Sequence, residues 1–186
     1  MNSLFTAESN RELYQSEVSN KDHVTTPRYV VEDMYKIIDI KSFNMCWFPF
    51  NHYDSEFKLK ADELNIKYKA THKFDDMGND FFIIDPPENC DLMISNPPFG
   101  IQNQIIKRSF ELIKYDKIKA FALLLPLSTL ETKKRADIYK LYTDKLSIGT
   151  FENRIKFKGC KTSFNKGCCW VCYNIPALKN KPFWWL

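Results

Sequence analysis

The run Phe121-Ala122-Leu123-Leu124-Leu125, inside Lys119–Leu127, is apolar at every position. A strand with one face in water alternates apolar and polar residues, so an unbroken run of this length reads as a central parallel strand buried on both faces. Such a strand requires helices on each side of its sheet, and that requirement sets what the rest of the chain must supply. With 186 residues there is length for one such domain with a proper core, and little for a second.

Helices and strands do alternate along the chain. Thr26-Pro27 reads as a capped helix start, with the helix from about Arg28 to Ile40 and Thr26 as its cap. Met45 to Phe50 reads as a strand ended by Pro49, and a helix over Asp54 to Asn65 follows, with Phe57, Ala61 and Leu64 at i, i+4 and i+7. Tyr68 to Phe74, Phe81 to Ile84 and Cys90 to Ser95 read as three further strands, and Gln102 to Lys114 as a helix with Ile106, Phe110 and Ile113 in one stripe. Beyond the central strand, Thr132 to about Lys145 returns to helix. Ile148 to Phe157 and Cys168 to Ile175 then enclose a basic loop with no helix between them, the pattern of an antiparallel hairpin. The expectation is a three-layer α/β fold: a mostly parallel seven-stranded sheet closed by a C-terminal antiparallel hairpin. Residues 1–20 read as a polar arm and 21–186 as a single domain without a separate target-reading domain.

A net charge of +4 permits a nucleic-acid partner without demanding one. No apolar stretch approaches membrane-spanning length, and Met1-Asn2-Ser3-Leu4 lacks the order of a secretory signal, so a cytoplasmic protein with no membrane partner is expected. Of the six cysteines, only Cys169 and Cys172 have ligand-like spacing. On a strand they would point to opposite faces, so buried, reduced thiols are expected and no metal site. His23 and His52 receive no metal role.

The chemistry is concentrated at Asn96-Pro97-Pro98-Phe99, where two prolines halt the apolar run Cys90 to Ser95. Ligands of open α/β sheets bind just beyond the carboxyl ends of strands. There the Asn96 amide oxygen and the Pro97 carbonyl are two acceptors that can hold one amino group, and the ring of Phe99 is a face on which a planar base can stack. The plainer alternative makes Asn96 a turn cap and Phe99 ordinary core.

Asn-Pro-Pro-Phe resembles the active-site motif of amino methyltransferases, and from about Asp22 to Ile175 the chain resembles the small adenine DNA methyltransferases of bacteriophages and mobile elements. Similar blocks are Thr26-Pro27, Trp47-Phe48-Pro49-Phe50 with Ser55-Glu56-Phe57, Asp80-Phe81-Phe82, Ser95 to Phe99, Leu125-Pro126-Leu127 and Arg154-Ile155-Lys156-Phe157. The resemblance implies the S-adenosylmethionine (SAM) dependent methyltransferase fold, with the last strand inserted antiparallel. It implies transfer of a methyl from SAM to the 6-amino group of adenine in DNA, in a bacterial or phage-infected cell. Asn96, Pro97, Pro98 and Phe99 would be catalytic, with Phe99 also stacking the base. Thr26, Trp47, Pro49 and Phe50 would flank SAM toward its methionine end. His72 would stand where many such enzymes place an acid on the ribose, Asp80 would accept from the cofactor's adenine amino group, Phe81 would lie against its ring, and Asn96 would border the cofactor. Apart from the resemblance, Lys156, Lys158, Lys161 and Lys166 form a concentrated basic patch, which fits either contact with phosphates or a plain soluble loop.

Two departures qualify the resemblance. The turn Phe50-Asn51-His52-Tyr53-Asp54 has no glycine, where many SAM enzymes let backbone approach cofactor, and Asn51 stands where the similar phage proteins tend to have Asp. Only Pro176 to Leu186 follows the last block, so sequence selectivity is low, or a homodimer or partner subunit supplies it, or the substrate is not duplex; all three stay open. RNA adenine and the protein glutamine amide are alternative substrates, and a non-catalytic module binding DNA or a partner is another reading. The acid-x-Lys sequence Glu56-Phe57-Lys58 hints at a metal nuclease but falls on a helix, where solvated charge explains it. The aromatic tail Phe183-Trp184-Trp185-Leu186 fits either a partner contact or packing on its own domain.

Overall fold

The computed structural model describes residues 25–73, 77–158 and 167–186. The arm at 1–20 lies outside them, as do His23, Cys160, Lys161 and Lys166. Seven strands form one sheet: β1 (Cys46–Pro49), β2 (Tyr68–Thr71), β3 (Leu92–Ser95), β4 (Ala120–Pro126), β5 (Leu146–Thr150), β6 (Cys168–Tyr173) and β7 (Phe183–Trp185). Their order across the sheet is β2-β1-β3-β4-β6-β5-β7. β6 alone is reversed, pairing antiparallel with β4 and β5, while every other pair is parallel. The four described helices are α1 (Arg28–Ile37), α2 (Glu56–Glu63), α3 (Gln102–Lys114) and α4 (Lys133–Tyr139).

All seven residues of β4 are buried, as its composition requires. Alternate strand residues sort into two cores. Phe48, Ile94, Leu124 and Trp170 pack with Val31, Met34 and Phe57 of α1 and α2. Trp47, Met93, Leu123 and Val171 pack with Ile105, Ile106 and Phe110 of α3. Cys172 falls in the first core and Cys169 in the second, the opposite-face arrangement expected of them.

Several expectations need correction. Phe81 to Ile84 is a turn, because the Asp80 carboxylate accepts the Phe82 N–H (2.9 Å) and the Asp80 carbonyl accepts those of Ile83 (2.9 Å) and Ile84 (3.0 Å). The seventh strand is instead the aromatic tail, which packs on its own domain. Ile148 N–H donates to Pro182 O (2.9 Å), Leu186 N–H to Thr150 O (2.8 Å) and the Trp184 indole to Ser147 Oγ (2.8 Å). Helix α1 stops at Ile37 rather than Ile40, since Asp39 takes a left-handed φ of 50°. Pro27, extended at φ −64° and ψ 148°, holds the cap position assigned to Thr26, and no side chain caps the helix. The helix after β4 is confined to Lys133–Tyr139, and the strand expected from Ile148 to Phe157 is Leu146–Thr150.

Candidate active site

β1 lies between β2 and β3: the connection from β1 runs to β2 on one side and the connection from β2 crosses back to β3 on the other, so a crevice opens over the carboxyl end of β1. The turn out of β1 is built without glycine. Phe50 itself adopts φ 63°, the conformation a glycine ordinarily supplies. Asn51 then folds back under the turn: its Nδ2 donates to Pro49 O (2.8 Å) and Ser95 Oγ (3.2 Å), and its Oδ1 accepts from Ser55 Oγ (2.5 Å). Ser95, the last residue of β3, also donates to Pro49 O. Ser55 caps α2 by accepting the Phe57 N–H (3.3 Å). One buried polar cluster thus joins the tips of β1 and β3 to the start of α2, directly beneath Asn96.

Above this cluster is a cavity of about 100 Å³. Of the residues singled out from the sequence, Thr26, Phe50, His72, Asn96 and Pro98 line it; His52, Asp54 and Ser55 join them. His72, only 3 % exposed, lies beside His52 with ring centroids 3.4 Å apart. Nothing in the spacing of the sequence pairs these two histidines. Asn96 is half-buried with its Oδ1 shielded from solvent, and Pro97 and Pro98 are buried, so the turn after β3 is fixed where Asn96 lines the cavity.

The remaining residues stand outside the cavity lining. Trp47 is fully buried, its indole N–H donating to Thr71 Oγ1 (3.0 Å). Phe81 stacks on Trp47 at 5.5 Å and meets Phe50 at 4.8 Å, one layer behind the wall. Arg108 of α3 holds that turn, donating to Phe81 O (2.8 Å) and Ile84 O (2.9 Å), and burial depresses its pKa from the usual arginine value. Asp80 is buried in the same turn. Phe99, half-buried, meets Phe157 edge-on at 6.4 Å.

Lys156 is exposed, whereas Lys158 is bound to the buried carboxylate of Glu56, and its backbone pairs with Thr25. Lys158 therefore locks residue 25 and the first turn of α2 together, and its charge is committed within the protein. Glu56 Oε2 accepts no hydrogen bond among the described residues. Glu56 is thus an internal ion-pair partner on a helix, and the described residues contain no group of three metal-binding side chains. No described helix is long and apolar enough to cross a membrane.

No family model matches the chain, and no curated protein matches it. Solved structures do. The modification subunit of a putative type I restriction enzyme from Vibrio vulnificus YJ016 superposes with a TM-score of 0.56 at 13% identity, over 97% of this chain and 51% of that one. The catalytic domain of hMettl16, in complex with the MAT2A 3'UTR hairpin 1, gives 0.53 at 9% identity over 96% of this chain and 84% of that one. The chain shares their fold. It spans about half the length of the modification subunit. A putative class I SAM-dependent methyltransferase from Listeria monocytogenes is a more distant match, at a TM-score of 0.47 and 14% identity over 91% of this chain and 69% of that one.

Proposed function

We propose that this chain is a SAM-dependent methyltransferase acting on the 6-amino group of adenine in DNA. One observation carries the reading: Asn96, on a turn fixed by two buried prolines, and the turn leaving β1 wall the same cavity at the point where the sheet's connections diverge. The position and the donor set suit SAM, with Thr26, Phe50 and His72 on the cofactor side. The cavity is smaller than the roughly 300–1,000 Å³ of ordinary small-molecule pockets, so a ligand of this size extends past the rim or displaces side chains. Trp47, Pro49, Asp80 and Phe81 would then act as the support behind the cofactor.

When bound, SAM supplies an electrophilic methyl on a sulfonium. The adenine amine is a poor nucleophile because its lone pair is delocalised into the ring. Asn96 Oδ1 and Pro97 O accept its two hydrogens, favour a pyramidal nitrogen with the lone pair directed outward, and place carbonyl dipoles where positive charge develops. No strong base is required. Phe99 supplies an apolar face for the extruded base.

The similarity to a restriction modification subunit supports DNA as substrate and a partner subunit for sequence recognition; the similarity to an RNA-complexed catalytic domain makes RNA adenine the second reading. The glycine-free turn and small cavity favour a third, a non-catalytic binding module. Calorimetric titration with SAM, followed by transfer from labelled SAM to DNA, RNA and protein in parallel, separates them. Asn96→Ala is expected to retain SAM binding and lose transfer; unchanged turnover refutes the mechanism.

A further inference from the structure

β4 outruns β3. Ser95 pairs with Leu123, so Leu124, Leu125 and Pro126 extend about 10 Å beyond Ser95, the last residue of β3, at roughly 3.3 Å per residue. The segment Leu127–Leu130 crowns this wall. Arg135 of α4, 6 % exposed, braces it from inside, donating to Thr129 O (2.8 Å) and Ser128 O (2.5 Å). A third bond, to Asn103 Oδ1 (2.7 Å), ties the crown to the first turn of α3, just past Phe99. Leu127 N–H donates to Gly167 O (2.8 Å), and Thr129 Oγ1 meets the Tyr139 hydroxyl (3.2 Å). Thr132, β-branched yet at φ 88°, is strained and held by these surroundings.

On this rigid crown Leu127 and Leu130 are 39 % and 38 % exposed. Single exposed leucines are ordinary, but these two share a braced segment that rises beside the Asn96–Phe99 turn. Lys133 and Lys134 follow them, both exposed, and between 127 and 134 only Glu131 is acidic. We propose that Leu127 and Leu130 form a wedge that enters the base stack of duplex DNA as the target adenine leaves it, with Lys133 and Lys134 against the flanking phosphates. The inference rests on the reading of Asn96 as the adenine-holding residue and narrows the substrate to a duplex. Extruding a base leaves a gap in the stack, and a rigid apolar side chain filling it offsets the lost stacking. A single strand has no such gap, so the leucines matter for duplex alone.

The test compares wild type, Leu127→Ser/Leu130→Ser and Leu127→Met/Leu130→Met on native and heat-denatured genomic DNA with labelled SAM, with melting and SAM calorimetry on each protein. The Ser variant is expected to lose on the order of tenfold on native DNA, keep its rate on denatured DNA, bind SAM unchanged and be rescued by Met. Equal loss on both forms, no loss on native DNA, or a wild type that prefers denatured DNA overturns the wedge while leaving the adenine reading standing. A wild type that methylates neither form overturns both.

Discussion

Asn51 offers the most direct test of how the site is assembled. It is buried, and its amide makes three hydrogen bonds, to Pro49 O, Ser95 Oγ and Ser55 Oγ. At about 1 kcal/mol net for each, Asn51→Ala is expected to cost roughly 2–3 kcal/mol, since Ser95 keeps its own bond to Pro49 O. For a domain of this size that corresponds to a Tm lower by roughly 5–10 °C. Asn51→Asp is more informative, because it keeps the acceptor for Ser55 but sets a carboxylate oxygen where Nδ2 donated to a carbonyl. Ionisation there is disfavoured, so the folded-state pKa of the new carboxyl rises above its unfolded value of about 3.9. A raised pKa means that the folded state holds the proton longer: stability is present below the unfolded pKa and lost as pH rises through the folded one. Melting curves from about pH 4 to pH 8 should therefore show Asn51→Asp approaching wild type at the acid end and falling below Asn51→Ala at the alkaline end. An Asp variant that melts with wild type at the alkaline end, or a gap that ignores pH, refutes the hydrogen-bond assignment.

Gly149 lies beneath the indole of Trp184, and a Cβ there would fall 2.2 Å from the ring; Gly149→Ala should cost about 1–3 kcal/mol and shift tryptophan emission to the red as β7 loosens. Burial alone would raise the pKa of Asp91, but Lys119 and the backbone and side-chain N–H groups of Asn44 outweigh it and hold the carboxyl below its usual value. That stability is present above the unfolded pKa and lost as pH falls through the folded one, so Asp91→Asn should flatten the acid limb of a stability profile. Burial pushes the thiols of Cys46, Cys90, Cys168 and Cys169 up to about 12 and that of Cys172 well above its ordinary value. Peptide mapping after iodoacetamide at neutral pH should find these five unmodified until the protein is unfolded.

What could be read in advance was whatever a single segment decides by its own composition. β4 is legible because every residue is apolar, and helix Gln102–Lys114 because its stripe and its boundaries agree. The place of Asn96 is legible because two prolines stop a strand there. Phe81 to Ile84 has the composition of a strand, but Asp80 captures the backbone N–H groups such a strand would use for pairing, and Arg108 takes two of its carbonyls. Phe183–Trp185 becomes a strand only because β5 leaves an edge open beside it. The engagement of Lys158 by Glu56 joins residues 102 positions apart, and the brace from Arg135 to Asn103 spans 32, so neither has a local signal. The absence of glycine after β1 was visible; that a phenylalanine takes the left-handed conformation and an asparagine stitches the turn was not.

The reversal of β6 has a consequence for how this scaffold can vary. β5 runs with β4 and β6 against it, so the connection from Thr150 to Cys168 both departs and returns at the end of the sheet where Asn96 stands. Its described part already touches the rim, Phe157 on Phe99 and Lys158 on Glu56. Lengthening or exchanging that excursion alters what the rim presents to an incoming molecule while every ladder of the sheet keeps its register, which makes it the place to graft a new specificity.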